Sequence, residues 1–171
     1  DSPMETHMSA QQASDRNTEL IRSFVRLTEY AEENEVRVVL IAGDLFDGDR
    51  VRTLTVDEIL GAMERTPDVD YLYLAGNHDE AAQAFSDRAL PRNLRRFTRQ
   101  WSTFVYDGVA VSGIELCAEN AQTLYEQVPH VEGCTNLVML HGQIGASSTP
   151  EQIDLNRLKG KGIDYLALGH I

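Results

Sequence analysis

Four short segments each set a glycine beside a side chain that can bind a metal ion: Gly43-Asp44-Leu45-Phe46-Asp47, Gly76-Asn77-His78-Asp79, His141-Gly142 and Gly169-His170. A carboxylate such as Asp44 is the side chain best able to bridge two hard cations, one oxygen to each. The oxygen of Asn77 can ligate without adding charge, and the adjacent His78 can face a substrate while Asp79 orients its ring. His141 and His170 offer imidazole nitrogens. Taken singly, these residues say little. Asn and Asp favour turns in any case, and one His after an apolar strand is more often a hydrogen-bonded core residue than a ligand. Two such His at equivalent positions, in a chain with only 5 His, carry more weight. His7 and His130 lie in polar contexts and are assigned no role.

The segments in front of these residues explain how they could meet. Val36 to Ala42 (VRVVLIA) is β-branched and nearly continuous in apolar character, which suits a strand buried on both faces. It runs directly into GDLFDGD. Val56, Ile59, Leu60 and Met63 mark an amphipathic helix, and Val69 to Ala75 marks a second buried strand that ends in GNHDE. Strand, helix, strand in this order implies a right-handed crossover and a parallel sheet. Leu137 to Leu140 and Tyr165 to Leu168 read as two more strands, ending in HG and GHI. In open α/β sheets the carboxyl ends of parallel strands converge on one crevice, where ligands bind. Asp44, Asn77, His78, His141 and His170 could therefore converge although far apart in sequence, and the neighbouring glycines let the backbone turn sharply without a Cβ clash. Elsewhere, residues 1–16 read as a polar loop. From about Asn17 to Glu35, the spacing of Leu20, Ile21, Phe24, Val25, Leu27 and Ala31 predicts a helix with one buried face. In FVYDGVAVSG, Asp107-Gly108 signals a hairpin turn.

At 171 residues and 42% apolar composition, the chain fits one globular domain. No apolar run approaches the length that spans a bilayer and the amino terminus is polar, so neither a membrane segment nor a signal peptide is expected. Cys117 and Cys134 are too few and isolated for a disulfide framework; two reduced thiols point to a cytoplasmic protein. The net charge of −12 repels nucleic acid over most of the surface, yet clustered carboxylates also collect divalent cations. Against that field stand Arg88, Arg92, Arg95, Arg96 and Arg99. A helix starting near Pro91 would align them in one stripe, with Leu94, Phe97 and Trp101 toward the core. Such a stripe could track phosphates beside the site, or be a solvated face paired with carboxylates.

The ordered set GDLFD, GNHD, an isolated His before Gly, and GH resembles the calcineurin-like metallophosphoesterase superfamily through nearly the whole chain. Asp1-Ser2-Pro3, the long first helix and AGDLFDGD are most similar to its bacterial nuclease subgroup related to Mre11 and SbcD. The resemblance implies an α/β fold: a sandwich of two mixed β-sheets flanked by helices (αββα), with the site at the strand carboxyl ends. It implies that Asp44 bridges two metals and that Asn77, His141 and His170 hold the second. His78 would be the general acid or transition-state stabiliser with Asp79 behind it, and Asp47 would support the ligands from outside. The cofactors implied are two divalent ions, with Mn the family expectation and Fe, Zn or Mg the alternatives. Two such ions roughly 3.5–4 Å apart activate a hydroxide and clamp phosphoryl oxygens for in-line attack. The activity implied is phosphodiester hydrolysis, by a DNA exonuclease or endonuclease working with a coiled-coil ATPase of the SbcC/Rad50 kind. A phosphodiesterase or phosphatase for nucleotides or other small phosphoesters uses the same core motifs. A third reading is a scaffold that kept the fold and lost catalysis.

Members of the superfamily normally carry an Asp-x-His pair after a first strand and a Gly-His-x-His ending. Asp1 and His7 lack the first spacing, and the sequence stops at Ile171 before a second His. Both gaps fall on ligands of the first metal. The expectation is a single catalytic domain over 1–171, truncated at both ends, that binds one metal well and the other poorly.

Overall fold

The structure, a computed structural model, describes residues 10–46, 53–76, 85, 88–145 and 152–170. Its first element is a long helix, α1 (Ala10–Glu33). It begins seven residues before the expected start, so residues 10–16 are helical rather than loop. Ala10, Gln11, Gln12 and Ala13 are good helix formers and extend the first turns. The helix ends in a Schellman arrangement: Val36 N–H donates to the Ala31 carbonyl at 2.8 Å and Glu35 N–H to Glu32 at 3.1 Å. Glu35 supplies the left-handed residue there, at φ 55°. Phe24 and Ala31 pack inward, but Leu20 and Leu27 are exposed, at 61% and 46%. The apolar face is thus wider than the surface that covers it.

Strand β1 (Val38–Ala42), helix α2 (Thr53–Glu64) and strand β2 (Asp70–Leu74) form the expected parallel unit, with Val38 opposite Asp70 and Ala42 opposite Leu74. The same sheet gains β3 (Leu94–Arg96), parallel to β2. The helix expected from Pro91 is therefore not formed. Leu94, Phe97 and Trp101 do turn toward apolar clusters, but from a strand and the chain beyond it. Asn93 holds this strand to the end of α2. Its buried Nδ2 donates to the carbonyls of Met63, Thr66 and Val69 at 2.8, 3.0 and 2.8 Å.

The second sheet has the order β4-β5-β6-β9, built from β4 (Ser102–Tyr106), β5 (Val109–Gly113), β6 (Thr135–His141) and β9 (Tyr165–Gly169). Strands β4 and β5 are the predicted hairpin. Asp107 and Gly108 both have positive φ, 43° and 82°, as a two-residue turn that matches strand twist requires. Strands β5, β6 and β9 run parallel. A 3-10 turn (Leu124–Glu126), a short pair, β7 (Gln143–Ile144) with β8 (Gln152–Ile153), and a one-turn helix α3 (Leu155–Leu158) are also present.

Alternation along the strands sorts the core into three layers. Tyr71 and Tyr73 of β2 face α1 and α2, together with Val56, Ile59, Leu60 and Met63. Leu72 and Leu74 face the opposite way, meeting Val111 and Met139 of the second sheet. Val138 and Leu140 of β6 turn outward under Leu124, Tyr125 and Leu158. The architecture is helices, sheet, sheet, helices, as the resemblance implies. Among the described residues, no helix is long and apolar enough to cross a membrane.

Candidate metal centre

Parallel strands place their carboxyl ends on one side, and strands from both sheets end together here. Beyond β1 comes Gly43-Asp44, His141 is the last residue of β6, and His170 follows β9. One ligand atom from each of Asp44, His141 and His170 lies within 4.8 Å of the others. The two imidazole rings stand nearly perpendicular, at 85° and 5.3 Å between centroids. His141 is buried, whereas Asp44 is exposed and His170 lies between these extremes. The cluster is thus anchored at its base and open on one side.

A hydrogen bond fixes the chemistry of His141. Its Nδ1 lies 2.8 Å from the Ala42 carbonyl oxygen. A carbonyl only accepts, so Nδ1 donates, which leaves Nε2 as the ring's ligand atom. That Nε2 faces Asp44 Oδ2 at 3.4 Å. A ring nitrogen and a carboxylate oxygen facing each other can both ligate a cation placed between them. One carboxylate and two imidazoles, with the outer nitrogen of one ring held by a backbone carbonyl, form a donor set suited to a divalent transition ion. The residues present fit such an ion.

The backbone is unusual at the same place. Four non-glycine residues among those described have positive φ, and two of them are Asp44 (53°) and His170 (84°). Left-handed conformations at such residues cost on the order of 1–3 kcal/mol and persist where the surroundings impose them. Asp and His both enter the region more readily than most side-chain-bearing residues.

The family model for calcineurin-like phosphoesterases matches residues 6–171. The chain belongs to the calcineurin-like phosphoesterase family. A relative of this phosphoesterase-family chain is the DNA double-strand break repair protein Mre11 of Methanopyrus kandleri, 28% identical over 181 residues. That alignment covers 91% of this chain, which spans 40% of the relative's length.

Of the site residues expected from sequence, this family member brings Asp44, His141 and His170 together. Asn77, His78, Asp79 and Asp47 lie outside the described residues. Gly76, which precedes Asn77, lies directly against Asp44 and His141. The arginines do not form the expected stripe. In a strand, neighbouring side chains point to opposite faces, so Arg95 and Arg96 diverge. Arg96 lies 5.5 Å from the centre of the Phe85 ring, Arg88 pairs with Asp57 at 2.7 Å, and Arg92, Arg95 and Arg99 are exposed. Arg99 also lies near Glu119. The Glu119 carboxyl is held below its usual range first by a hydrogen bond with Cys117, then by its own backbone, with Arg99 a smaller contribution. Sequence reasoning missed the Ala42 carbonyl. Every residue carries a carbonyl, so no signal could have singled it out.

Proposed function

We propose that this chain is the catalytic domain, over 1–171, of a metal-dependent phosphodiesterase acting on DNA. The observation that carries this reading is the convergence of Asp44, His141 and His170 at the joined ends of both sheets. In the proposal these three hold divalent metal, with Mn the first candidate, Asn77 completing the set and Asp47 supporting it. Bound metal would supply Lewis-acid stabilisation of the phosphoryl oxygens and a nucleophile at neutral pH. The protein's own contribution begins with orientation. The Ala42 carbonyl holds His141 in one tautomer, and Asp44 offers one oxygen toward that ring and a second oxygen elsewhere. His78, backed by Asp79, would protonate the leaving oxygen, a role worth on the order of 10²–10⁴ in rate.

DNA as substrate is supported by the similarity to a DNA double-strand break repair protein. Phosphate contact by the arginines narrows to Arg99, which is exposed and lies just past the carboxyl end of β3, at the site end of its sheet. An SbcC/Rad50-like ATPase partner belongs to the same proposal and rests on the subgroup resemblance alone. The net charge of −12 favours a second reading, hydrolysis of nucleotides or other small phosphoesters.

The deciding assay incubates the chain and its His78→Ala variant with Mn²⁺, on end-labelled DNA and on a small phosphodiester. Cleavage of both, lost in the variant, is the expected result. Turnover of the small ester alone selects the second reading. Silence on both leaves a scaffold that has kept the fold without the chemistry.

A further inference from the structure

We infer that Gly169 and Gly76 are positioning residues of the metal centre, glycines because only a bare α-carbon lets the three donor side chains approach one another. The inference rests on the metal-centre reading above and adds what sets its dimensions.

Stacked β-sheets usually lie about 10 Å apart. At this corner the two sheets touch through their backbones. A Cβ on Gly169 of β9 would overlap the carbonyl oxygen of Ala42 on β1, and would come within 2.8 Å of both the Ala42 carbonyl carbon and His141 Nδ1. The carbonyl that Gly169 crowds is the one that accepts from His141 at 2.8 Å. Gly169 is joined directly to His170, and Ala42 is followed by Gly43 and Asp44. All three donors therefore hang from a single backbone contact. Gly76 closes the cradle from the end of β2. A Cβ there would overlap Asp44 Oδ1 and come within 2.7 Å of the Asp44 amide nitrogen and of His141 Cε1.

Conformation does not explain these glycines. Gly43 and Gly142 have positive φ; Gly76 and Gly169 do not, and side-chain-bearing residues can adopt their backbone angles. What they lack is space, and the nearest obstructing atoms at Gly169 are backbone atoms of Ala42 that cannot swing away. A methyl at 169 would have to separate β1 from β9 by about 2 Å to restore an ordinary carbon–oxygen contact. Metal sites accept ligand distances only within about 0.2 Å of ideal. Displacing outer-shell support typically costs about 10–100-fold in metal affinity.

The test is a calorimetric titration of Mn²⁺ into the chain and four variants, with thermal unfolding of each in chelator. Gly169→Ala and Gly76→Ala should each weaken Mn²⁺ binding by about 10-fold or more. Ala167→Gly loosens the same strand, on the same inter-sheet face, and adds no atom to the contact between Gly169 and Ala42. It should lower the unfolding temperature in chelator and leave Mn²⁺ affinity unchanged, which separates positioning from general destabilisation. Asp44→Ala tests the centre itself. If Asp44→Ala binds Mn²⁺ as wild type does, the metal reading falls and takes this inference with it. If Asp44→Ala loses Mn²⁺ while either folded glycine variant keeps wild-type affinity, the inference alone is overturned. Should Gly169→Ala not fold, Gly76→Ala decides, because its site lies on coil beyond β2 and leaves the strand contact intact.

Discussion

Replacing His141 with Ala should remove most of the metal-dependent stability of the chain while leaving it folded. The substitution deletes a ring that is 6% exposed, its 2.8 Å bond to the Ala42 carbonyl, and the nitrogen 3.4 Å from Asp44. Losing the bond and the packed ring costs about 2–3 kcal/mol without metal. At this chain length that lowers the midpoint by roughly 4–12 °C. The informative quantity is the further shift on adding metal. With Mn²⁺ at about 100 times its dissociation constant for wild type, binding stabilises by about 2.7 kcal/mol, or roughly 5–11 °C. A loss of about 100-fold in affinity brings the same concentration near the new dissociation constant, where the gain is about 0.4 kcal/mol and the shift about 1–2 °C. Thermal unfolding of both proteins, in chelator and in Mn²⁺, reads the four midpoints. His130→Ala is the control, since that ring is exposed and lies against the Gly162 carbonyl at 3.3 Å, outside the Asp44–His141–His170 cluster; it should keep the full shift. A Mn²⁺ shift of wild-type size in His141→Ala would refute the reasoning, because the buried ring would then contribute packing and nothing to an ion.

Three further outcomes follow from the same geometry. Tyr106 is pushed up to about 12, first by burial and then by its hydrogen bond to Asp70 and that group's negative charge. An unfolded tyrosine ionises near pH 10, so its contribution is present below pH 10 and is lost as pH rises toward 12; screened by solvent, it is about 1 kcal/mol. Denaturant titrations of wild type and Tyr106→Phe should differ by that amount at pH 9 and converge near pH 12, whereas a constant gap would contradict the assignment. Asn93→Ala should cost about 2–3 kcal/mol, since three carbonyls between the last turn of α2 and the start of β2 lose one donor group; a loss under about 0.5 kcal/mol by denaturant titration would show that water replaces it. Arg99→Glu should weaken DNA retention and lower its salt slope by about 1, while Arg92→Glu, before the amino end of β3, should change neither; equal effects of both would leave only bulk charge.

The apolar runs at Val38–Ala42 and Tyr165–Gly169, the hairpin at Asp107-Gly108 and the core face of α2 are local patterns, and each was legible in the sequence. Strand β3 was not. Leu94, Phe97 and Trp101 fall at helical spacing after a proline, and Leu-Arg-Arg has no β preference. Its strand character comes from pairing with Tyr71 to Tyr73, a tertiary decision that overrides local pattern. The two-residue strands β7 and β8 are too short to show a period. For the candidate site, the gathering of Asp44, His141 and His170 could be read from residue type and place after a strand. Their spacing could not, because it is set by a backbone carbonyl and by missing side chains. The glycine of Gly169-His170 looks like a turning device in sequence; in three dimensions it is a clearance.

That clearance explains why the donors gather at this corner of the sandwich. Side chains as short as Asp and His cannot bridge two sheets held about 10 Å apart. At the opposite end of the sandwich, the sheets are tied by a long side chain, Tyr106 of β4 reaching Asp70 of β2 with its hydroxyl at 2.8 Å. At the site end, the tie is backbone against backbone, with Gly169 on Ala42 and His141 bonded to the same carbonyl. The two ties differ in reach, a tyrosine side chain at one end and a bare glycine contact beside the candidate donors at the other. Loops around such a corner can vary and the substrate with them, but a side chain introduced between Ala42 and Gly169 moves all three donors at once. The constraint on the chemistry therefore lies in the residues that cannot grow, as much as in those that would touch the ion.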